Sequence, residues 1–492
     1  KRKMILKNTL IYLNQFFFFI YSKFREFYLN SKIYNKKISR VRKNNLEYKP
    51  SPSLLECIVK IKEEKNNVSD LSLDKIWLSK NINNKDFTNI HSFFWLFTLD
   101  LNSPKEKVQS TITEWINKNH NYNYLSWDID VLSKRIISWI SNARITYEDS
   151  NDQYKEKFDW IIKKQVNHLI NEINQSKWVD NKMIGCSAII LTGIAYNEKY
   201  FSDYGFILLK KIIKVSFDNE GFPKTRNLRQ LNFYLKYFIL IREWLKESQN
   251  EISEYLDEII YHLGQSFSLI SKNVDYNFLF NGNHNSKDKN FENQIKKLGY
   301  NFKNDLDQVG GYLFLKNKHF ILAADLGPSP DKNYSKDYQS GALSFEFISN
   351  KIKIITNSGY FQKPKHQLNL VSKFTASQTT LGIGNSSSVN FLKCSDGTNL
   401  VKNSLKTFDK KIVSNKNLWS FEAAHDGYVK RYGIIHQRKV EFFPIIKDLL
   451  FQKSLEKPVR LLGISITKLF NEANVKENPI SLQLKFDFNE SI

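Results

Sequence analysis

Between about residue 90 and residue 270 the apolar side chains recur three or four positions apart, as in Val131-Leu132, Ile136-Ile137 and Trp139-Ile140, or Ile207-Leu208-Leu209 and Ile212-Ile213. That spacing keeps the apolar residues on one face of a 3.6-residue helix, so it predicts a succession of amphipathic helices. Their connectors are short and polar, Tyr147 to Asp152 and Ser248 to Ser253 for example, as expected of helices that follow one another antiparallel. After Asn281-Gly282-Asn283-His284 a Lys- and Asn-rich passage leads to Asp307, and there the pattern changes. Short β-type runs now alternate with Gly, Pro, Asn and Ser: Tyr312 to Leu315, His319 to Ala324, Leu343 to Ile348, Ile352 to Thr356, Thr379 to Ile383, Gly433 to Phe443 and Ile480 to Phe486. Many strands without intervening helices predict two packed β layers. The chain therefore reads as two domains, a helical one over 1–285 and a β one over 286–492.

Composition narrows the partners more than the fold. A chain of 492 residues with 41% hydrophobic side chains can bury two substantial cores. Its 9 Trp, 24 Tyr and 37 Phe offer flat apolar faces that suit both cores and sugar rings. The excess of 73 Lys+Arg over 50 Asp+Glu, a net charge of +23, favours polyanions: acidic glycans, nucleic acid or anionic membrane surfaces. That charge is dispersed and no nucleic-acid-binding motif accompanies it, so no specific nucleic acid is expected. Cys57, Cys186 and Cys394 lie far apart without a C-x-x-C pair, which argues against a disulfide framework and a cysteine zinc site.

The stretch from Met4 to Tyr21 has a basic flank and an apolar run, but Lys7, Asn8 and Asn14 interrupt it and no small-residue cleavage site follows. It is read as an amphipathic helix that packs on the domain or on a membrane face, with a degenerate export signal left open. A Walker loop, a G-x-G-x-x-G after a strand, H-E-x-x-H and a nucleophile elbow are all missing from the sequence, which speaks against nucleotide hydrolysis and serine-esterase chemistry.

Five segments of the second half occur in a telling order: Asp325-Leu-Gly-Pro, Gly341-Ala-Leu-Ser-Phe-Glu-Phe347, Ile354-Ile-Thr-Asn-Ser-Gly-Tyr360, Thr375-Ala-Ser-Gln-Thr-Thr380 and Ala424-His-Asp-Gly-Tyr428. Together they resemble the C-terminal domain of heparinase II/III-like proteins. Asp218-Asn-Glu-Gly-Phe-Pro-Lys-Thr-Arg-Asn227 is similar to that family's Arg-Ser/Asn-Pro segment, and Ser133-Lys-Arg135 with Trp139 to a weaker upstream signature. The resemblance implies an N-terminal α/α toroid followed by an antiparallel β-sandwich. It also implies a bacterial protein of the periplasm or cell envelope, and β-elimination on uronic-acid polysaccharides such as glycosaminoglycans, the acidic glycan lying in a groove.

β-Elimination needs a group that neutralises the uronate carboxylate, a base for the proton on the adjacent carbon and an acid for the leaving oxygen. The resemblance brings the catalytic assignment to His425, Tyr234 and Arg226 and substrate contacts to Asn181, Asn227, Arg229, Gln339, Gln378, Tyr428, His436 and Arg438. The chain departs from the family at several of these places. The family's Tyr-His pair falls on Arg229-Gln230, so Tyr234 or Tyr237 would have to substitute; both also fit an aromatic packing face beside Phe233 and Phe238. Gln339, Asn357 and Gln378 stand where the resemblance implies a histidine, an aspartate and a histidine, which would be the ligands if these positions form the zinc or calcium site of some members. Three amides are poor zinc ligands, so no cofactor is expected. His425 and His436 suit either proton transfer or strand and turn hydrogen bonds, Arg438 can hold a carboxylate with two parallel bonds, and Asn227 suits either a hydroxyl contact or a helix cap. Two functions remain in view: a polysaccharide lyase, or a glycan-binding or cell-envelope protein that kept the fold after losing its proton-transfer groups.

Overall fold

A computed structural model describes residues 20–51, 84–99, 104–271, 276–284, 289–304, 306–363, 366–394, 396–444 and 469–471, with the single positions 17, 54 and 274. Most of the stretch from Met4 to Tyr21, the run Ile480 to Phe486, Cys57 and the boundary at 285/286 lie outside the described residues. Contacts group the chain into two compact units: unit 1 comprises residues 1–215, 236–257 and 289–300, and unit 2 comprises 216–235, 258–288 and 301–492.

Unit 1 is helical. It contains α1 (Lys32–Ile38), α2 (Asn84–Ser92), α3 (Lys105–Asn119), α4 (Ile129–Ser141), α5 (Asp152–Glu172), α6 (Val179–Ala195), most of α7 (Lys199–Ser216), the later part of α8 (Leu228–Glu247), the first residues of α9 (Glu254–Ser271) and α10 (Lys289–Lys297). Side-chain caps start several of them: the Asp128 carboxylate accepts from Asp130 N ahead of α4, and Asn151 Oδ1 accepts from Tyr154 N ahead of α5. α4 and α6 pack extensively on each other, and both are buried along nearly their whole length. Gly193 and Gly205 let backbones approach closely: a Cβ on Gly193 would stand 2.5 Å from Ser202 N, and one on Gly205 2.5 Å from Ile190 Cγ1.

Unit 2 carries antiparallel sheets. Strands β1 (Gln308–Val309), β2 (Tyr312–Lys316), β3 (Phe320–Asp325), β4 (Phe345–Ser349) and β5 (Ile352–Ile355) form one sheet in chain order. Strands β8 (Thr407–Ser414), β9 (Trp419–His425), β10 (Ile434–Phe442) and β11 (Leu469–Asn471) form a second, and β6 (Phe391–Lys393) pairs with β7 (Asn399–Val401). One core joins the two larger sheets: Leu313, Leu315, Phe320, Leu322, Phe345 and Phe347 of the first pack with Trp419, Phe421 and Ala423 of the second. Alternation along each strand puts these residues on one face, which is why short apolar runs suffice to form it.

One expected strand is absent. Thr379 to Ile383 is loop, because the Thr379 hydroxyl both accepts from Phe345 N (2.9 Å) and donates to Phe345 O (2.5 Å), while its N–H goes to Asn357 Oδ1 (2.9 Å). A residue whose side chain caps a strand in this way takes no place in the ladder.

Candidate functional site

The site grows from the hairpin that precedes α8. Asp218 Oδ1 accepts from Glu220 N (3.0 Å) and Phe222 N (2.8 Å), and Gly221, at φ +72°, closes the turn. Arg226 also takes a left-handed backbone, φ +54°, and its side chain is held on every nitrogen. Nε donates to Gly310 O (3.0 Å), Nη1 to Pro328 O (2.8 Å) and Nη2 to Asp325 Oδ1 (2.6 Å), with the guanidinium 4.6 Å over the Tyr312 ring. Asp325, at the end of β3, also accepts from Asn281 Nδ2 (2.9 Å) and Gly327 N (3.1 Å), and Tyr312 Oη donates to Arg226 O (2.6 Å). The Asp325-Leu-Gly-Pro segment is thus the seat of Arg226: a Cβ on Gly327 would stand 2.3 Å from the guanidinium carbon.

Beside this pair stands a second buried carboxylate. Asp337 Oδ2 accepts from Asn227 Nδ2 (3.0 Å) and Arg229 Nη2 (3.2 Å), and Oδ1 accepts from Tyr360 Oη (3.0 Å). Asn227 Oδ1 accepts from Arg229 N (2.9 Å) at the start of α8, so Asn227 caps the helix and holds Asp337 at once. Arg229 is the open member of the group, its side chain 38% exposed. Lys373 is buried nearby and donates to Lys336 O and to Asn399 O (2.8 Å); burial pushes its ammonium down to about 8, with the Asp337 charge opposing the shift.

The three amides Gln339, Gln378 and Asn357 are linked by hydrogen bonds through Ser372 and Thr379. Gln339 Nε2 donates to Gly359 O (3.0 Å) and Ser372 O (2.7 Å), Gln378 Nε2 donates to the same Ser372 O (3.0 Å), and Asn357 Oδ1 accepts from the neighbouring Thr379 N (2.9 Å). Gln339 Oε1 is taken by Gly282 N (3.1 Å), in the turn where Asn281 (φ +26°) and Gly282 (φ +77°) adopt left-handed backbone. Glutamine N–H donors aimed at carbonyls, with Gln339 Oε1 and Asn357 Oδ1 each committed to a backbone amide, do not fit a divalent cation. Among the described residues no group of three or more His, Cys, Asp or Glu could hold a metal ion.

The surviving histidines form a pair across β9 and β10, whose register sets His436 opposite His425. Gly427 N donates to His425 Nδ1 (3.1 Å), which leaves the His425 proton on Nε2, 2.9 Å from His436 Nδ1. Burial pushes His425 down to about 4; burial, then the neighbouring His425 and Arg438, push His436 down to about 2. Both rings are therefore neutral near pH 7 and commit these nitrogens to protein partners. Arg438 Nη1 donates to Leu343 O (2.9 Å) and Thr379 O (2.5 Å), and burial lowers its guanidinium to about 10. Tyr428 Oη donates to Leu381 O (2.7 Å), with its ring 5.6 Å from His425.

Nine of the candidate residues thus belong to one connected arrangement in unit 2: Arg226, Asn227 and Arg229 through Asp325, Asp337 and Asn281, then Gln339 and Gln378, then Arg438, His436, His425 and Tyr428. Tyr234 is buried on α8 against Phe217 (ring centroids 4.9 Å) and Phe233 (5.3 Å), the aromatic packing face its neighbours suggested. Asn181 lies half-buried in the first turn of α6, in unit 1. Sequence reasoning assigned no site role to Asp325, Asp337, Asn281, Tyr360 or Lys373. Asp325 and Tyr360 were visible in motifs and Asn281 in a turn, but no local pattern marks Lys373, whose partners are backbone carbonyls far along the chain.

A helical region followed by antiparallel sheets is also the fold of solved heparinases. A heparinase III crystal structure aligns with TM-score 0.57 and 13% identity over 83% of this chain and 72% of that one. The heparan sulfate lyase HepC from Pedobacter heparinus gives TM-score 0.55 and 13% identity over 84% and 71%. A heparinase III with methylated lysines gives TM-score 0.56 and 14% identity over 84% and 69%. Residues 305–460 match the family model described as heparinase II/III-like, C-terminal. Residues 305–460 thus carry a heparinase II/III-like C-terminal domain, and the solved heparinases share the fold over most of the chain. No curated sequence registers as a relative.

Proposed function

We propose that this heparinase-like protein, an α/α toroid followed by a β-sandwich, binds an acidic, uronic-acid-containing polysaccharide in the bacterial periplasm or cell envelope without cleaving it efficiently. The observation that carries the reading is the condition of its proton-transfer candidates. His425 and His436 are buried, neutral and bonded to each other, Tyr234 is 2% exposed among aromatic rings, and each nitrogen of the Arg226 guanidinium is bonded inside the protein. Elimination requires a base within reach of a substrate proton and an acid for the leaving oxygen, and these groups offer neither without leaving their present partners. Arg229, half-exposed beside Asp337, is the side chain best placed to meet a carboxylate or sulfate, and the net charge of +23 favours such a polymer. That the similar structures are of a heparinase III and a heparan sulfate lyase supports the acidic-glycan class.

An active lyase is the second reading, favoured by the lyases that share the fold. One experiment separates the two. The full-length protein is incubated with a panel of uronic-acid polysaccharides, and binding is measured alongside ultraviolet absorbance from unsaturated chain ends. Salt-sensitive binding without new absorbance, weakened by Arg229→Gln, is the expected result. Absorbance growing in proportion to enzyme would establish the lyase, and absence of binding to every glycan would overturn both readings.

A further inference from the structure

The segment that precedes α1 is anchored to unit 1 on one side and bare on the other. Residues 20–29 are helical, and Leu29 is buried. Arg25 pairs with Glu172, and Tyr34 in α1 is buried with its hydroxyl 2.7 Å from His168 Nδ1. On the opposite side Tyr21, Phe24, Phe27 and Tyr28 are exposed by 53%, 71%, 79% and 42%. At 100° per residue these four fall within about 120° of the helix circumference, so they form one arc, and Ile33, 76% exposed, follows in α1. Large apolar side chains gathered in this way on water-facing surface mark an interaction site.

The charge around the arc is mostly positive, although Lys23, Arg25 and Arg42 pair with Glu26, Glu172 and Glu198. Between residues 20 and 43 there are eight Lys and Arg (23, 25, 32, 36, 37, 40, 42 and 43) against the single acid Glu26. All of these cations except Arg25 are exposed.

We propose that this face docks on an anionic lipid bilayer, the aromatic arc entering the headgroup region and the flanking Lys and Arg meeting lipid phosphates. Interfacial helices combine these two features: an apolar face that enters the headgroup boundary and a cationic rim that adds electrostatic attraction. A soluble polyanion would use the cations but gain little from Phe24, Phe27 and Ile33, which are exposed and have no side-chain hydrogen-bonding group. Among the described residues no helix is long and apolar enough to cross a membrane, so the contact is one of lying on the surface. The inference is independent of the glycan reading.

The test uses the full-length protein and co-sedimentation with phosphatidylcholine vesicles, with and without phosphatidylglycerol. The protein should pellet with the anionic vesicles and not with the neutral ones. Lys32→Gln with Lys36→Gln should weaken partitioning about 30-fold, the equivalent of about 1 kcal/mol per cation. Phe24→Ser with Phe27→Ser should weaken it at least tenfold while thermal unfolding is unchanged, because both rings are exposed. Three results would each overturn the proposal: anionic vesicles bound equally by wild type and the Phe double variant, self-association in sedimentation velocity that the Phe variant abolishes, or loss of heparin binding in that variant without loss of vesicle binding.

Discussion

Removing the Asp325 carboxylate should strike unit 2 harder than its size suggests. In Asp325→Ala, Arg226 loses a 2.6 Å bond to its counter-ion, and the donors Asn281 Nδ2 (2.9 Å) and Gly327 N (3.1 Å) lose an acceptor in the same buried place. A guanidinium 8% exposed is then left buried without compensation, a situation that costs about 3–5 kcal/mol. Removing both charges, as Arg226→Met with Asp325→Leu, leaves Gly310 O and Pro328 O without their donor but no stranded charge. The double variant should therefore be more stable than the single one by about 2 kcal/mol. Of the 9 tryptophans, only Trp419 falls in unit 2, where it sits in the core shared by the two larger sheets. Fluorotryptophan labelling and a urea titration followed by fluorine NMR therefore read this unit through one resonance. A Trp419 transition displaced by less than about 0.5 kcal/mol in Asp325→Ala, or a double variant no more stable than the single, would refute the reasoning.

Two further outcomes follow from the same geometry. Gly327→Ala places a Cβ 2.3 Å from the Arg226 guanidinium carbon, so it should cost about 1–3 kcal/mol by overpacking; a Trp419 transition identical to wild type would mean the seat is looser than described. Acid should destabilise unit 2 through its histidine pair. His425 and His436 are held at about 4 and about 2 when folded, whereas an unfolded histidine titrates near 6.5, so the unfolded chain takes up protons first as pH falls. Their contribution is intact above about pH 6.5 and is lost progressively down to about pH 2, the loss amounting to roughly 4 kcal/mol for the pair near pH 5. Replacing both by Gln should flatten that acid limb of Trp419 stability, and an unchanged limb would show that other groups govern it.

Much of the secondary structure was legible because the periodicities that predict it are local. The helices between about 90 and 270 and the strands near Tyr312, Phe320, Phe345, Ile352 and Ile434 follow apolar spacing of 3.6 or 2, and the Asn281-Gly282 pair forms the turn its residue types favour. Thr379 to Ile383 misled for the same reason: β-branched residues score as strand locally, while the Thr379 hydroxyl is bound to Phe345, 34 positions earlier. Only the tertiary structure decided what the candidate residues touch. Arg226 finds Asp325 across 99 positions, Asn227 finds Asp337 across 110, and two glutamines meet at one Ser372 carbonyl. His425 faces His436 because the β9–β10 register sets them opposite; a slip of one residue would turn one ring to the other face. Local spacing selects helix or strand through the backbone of a few neighbouring residues. Whether a polar side chain serves catalysis or architecture depends on the distant groups that folding brings within about 3 Å of it.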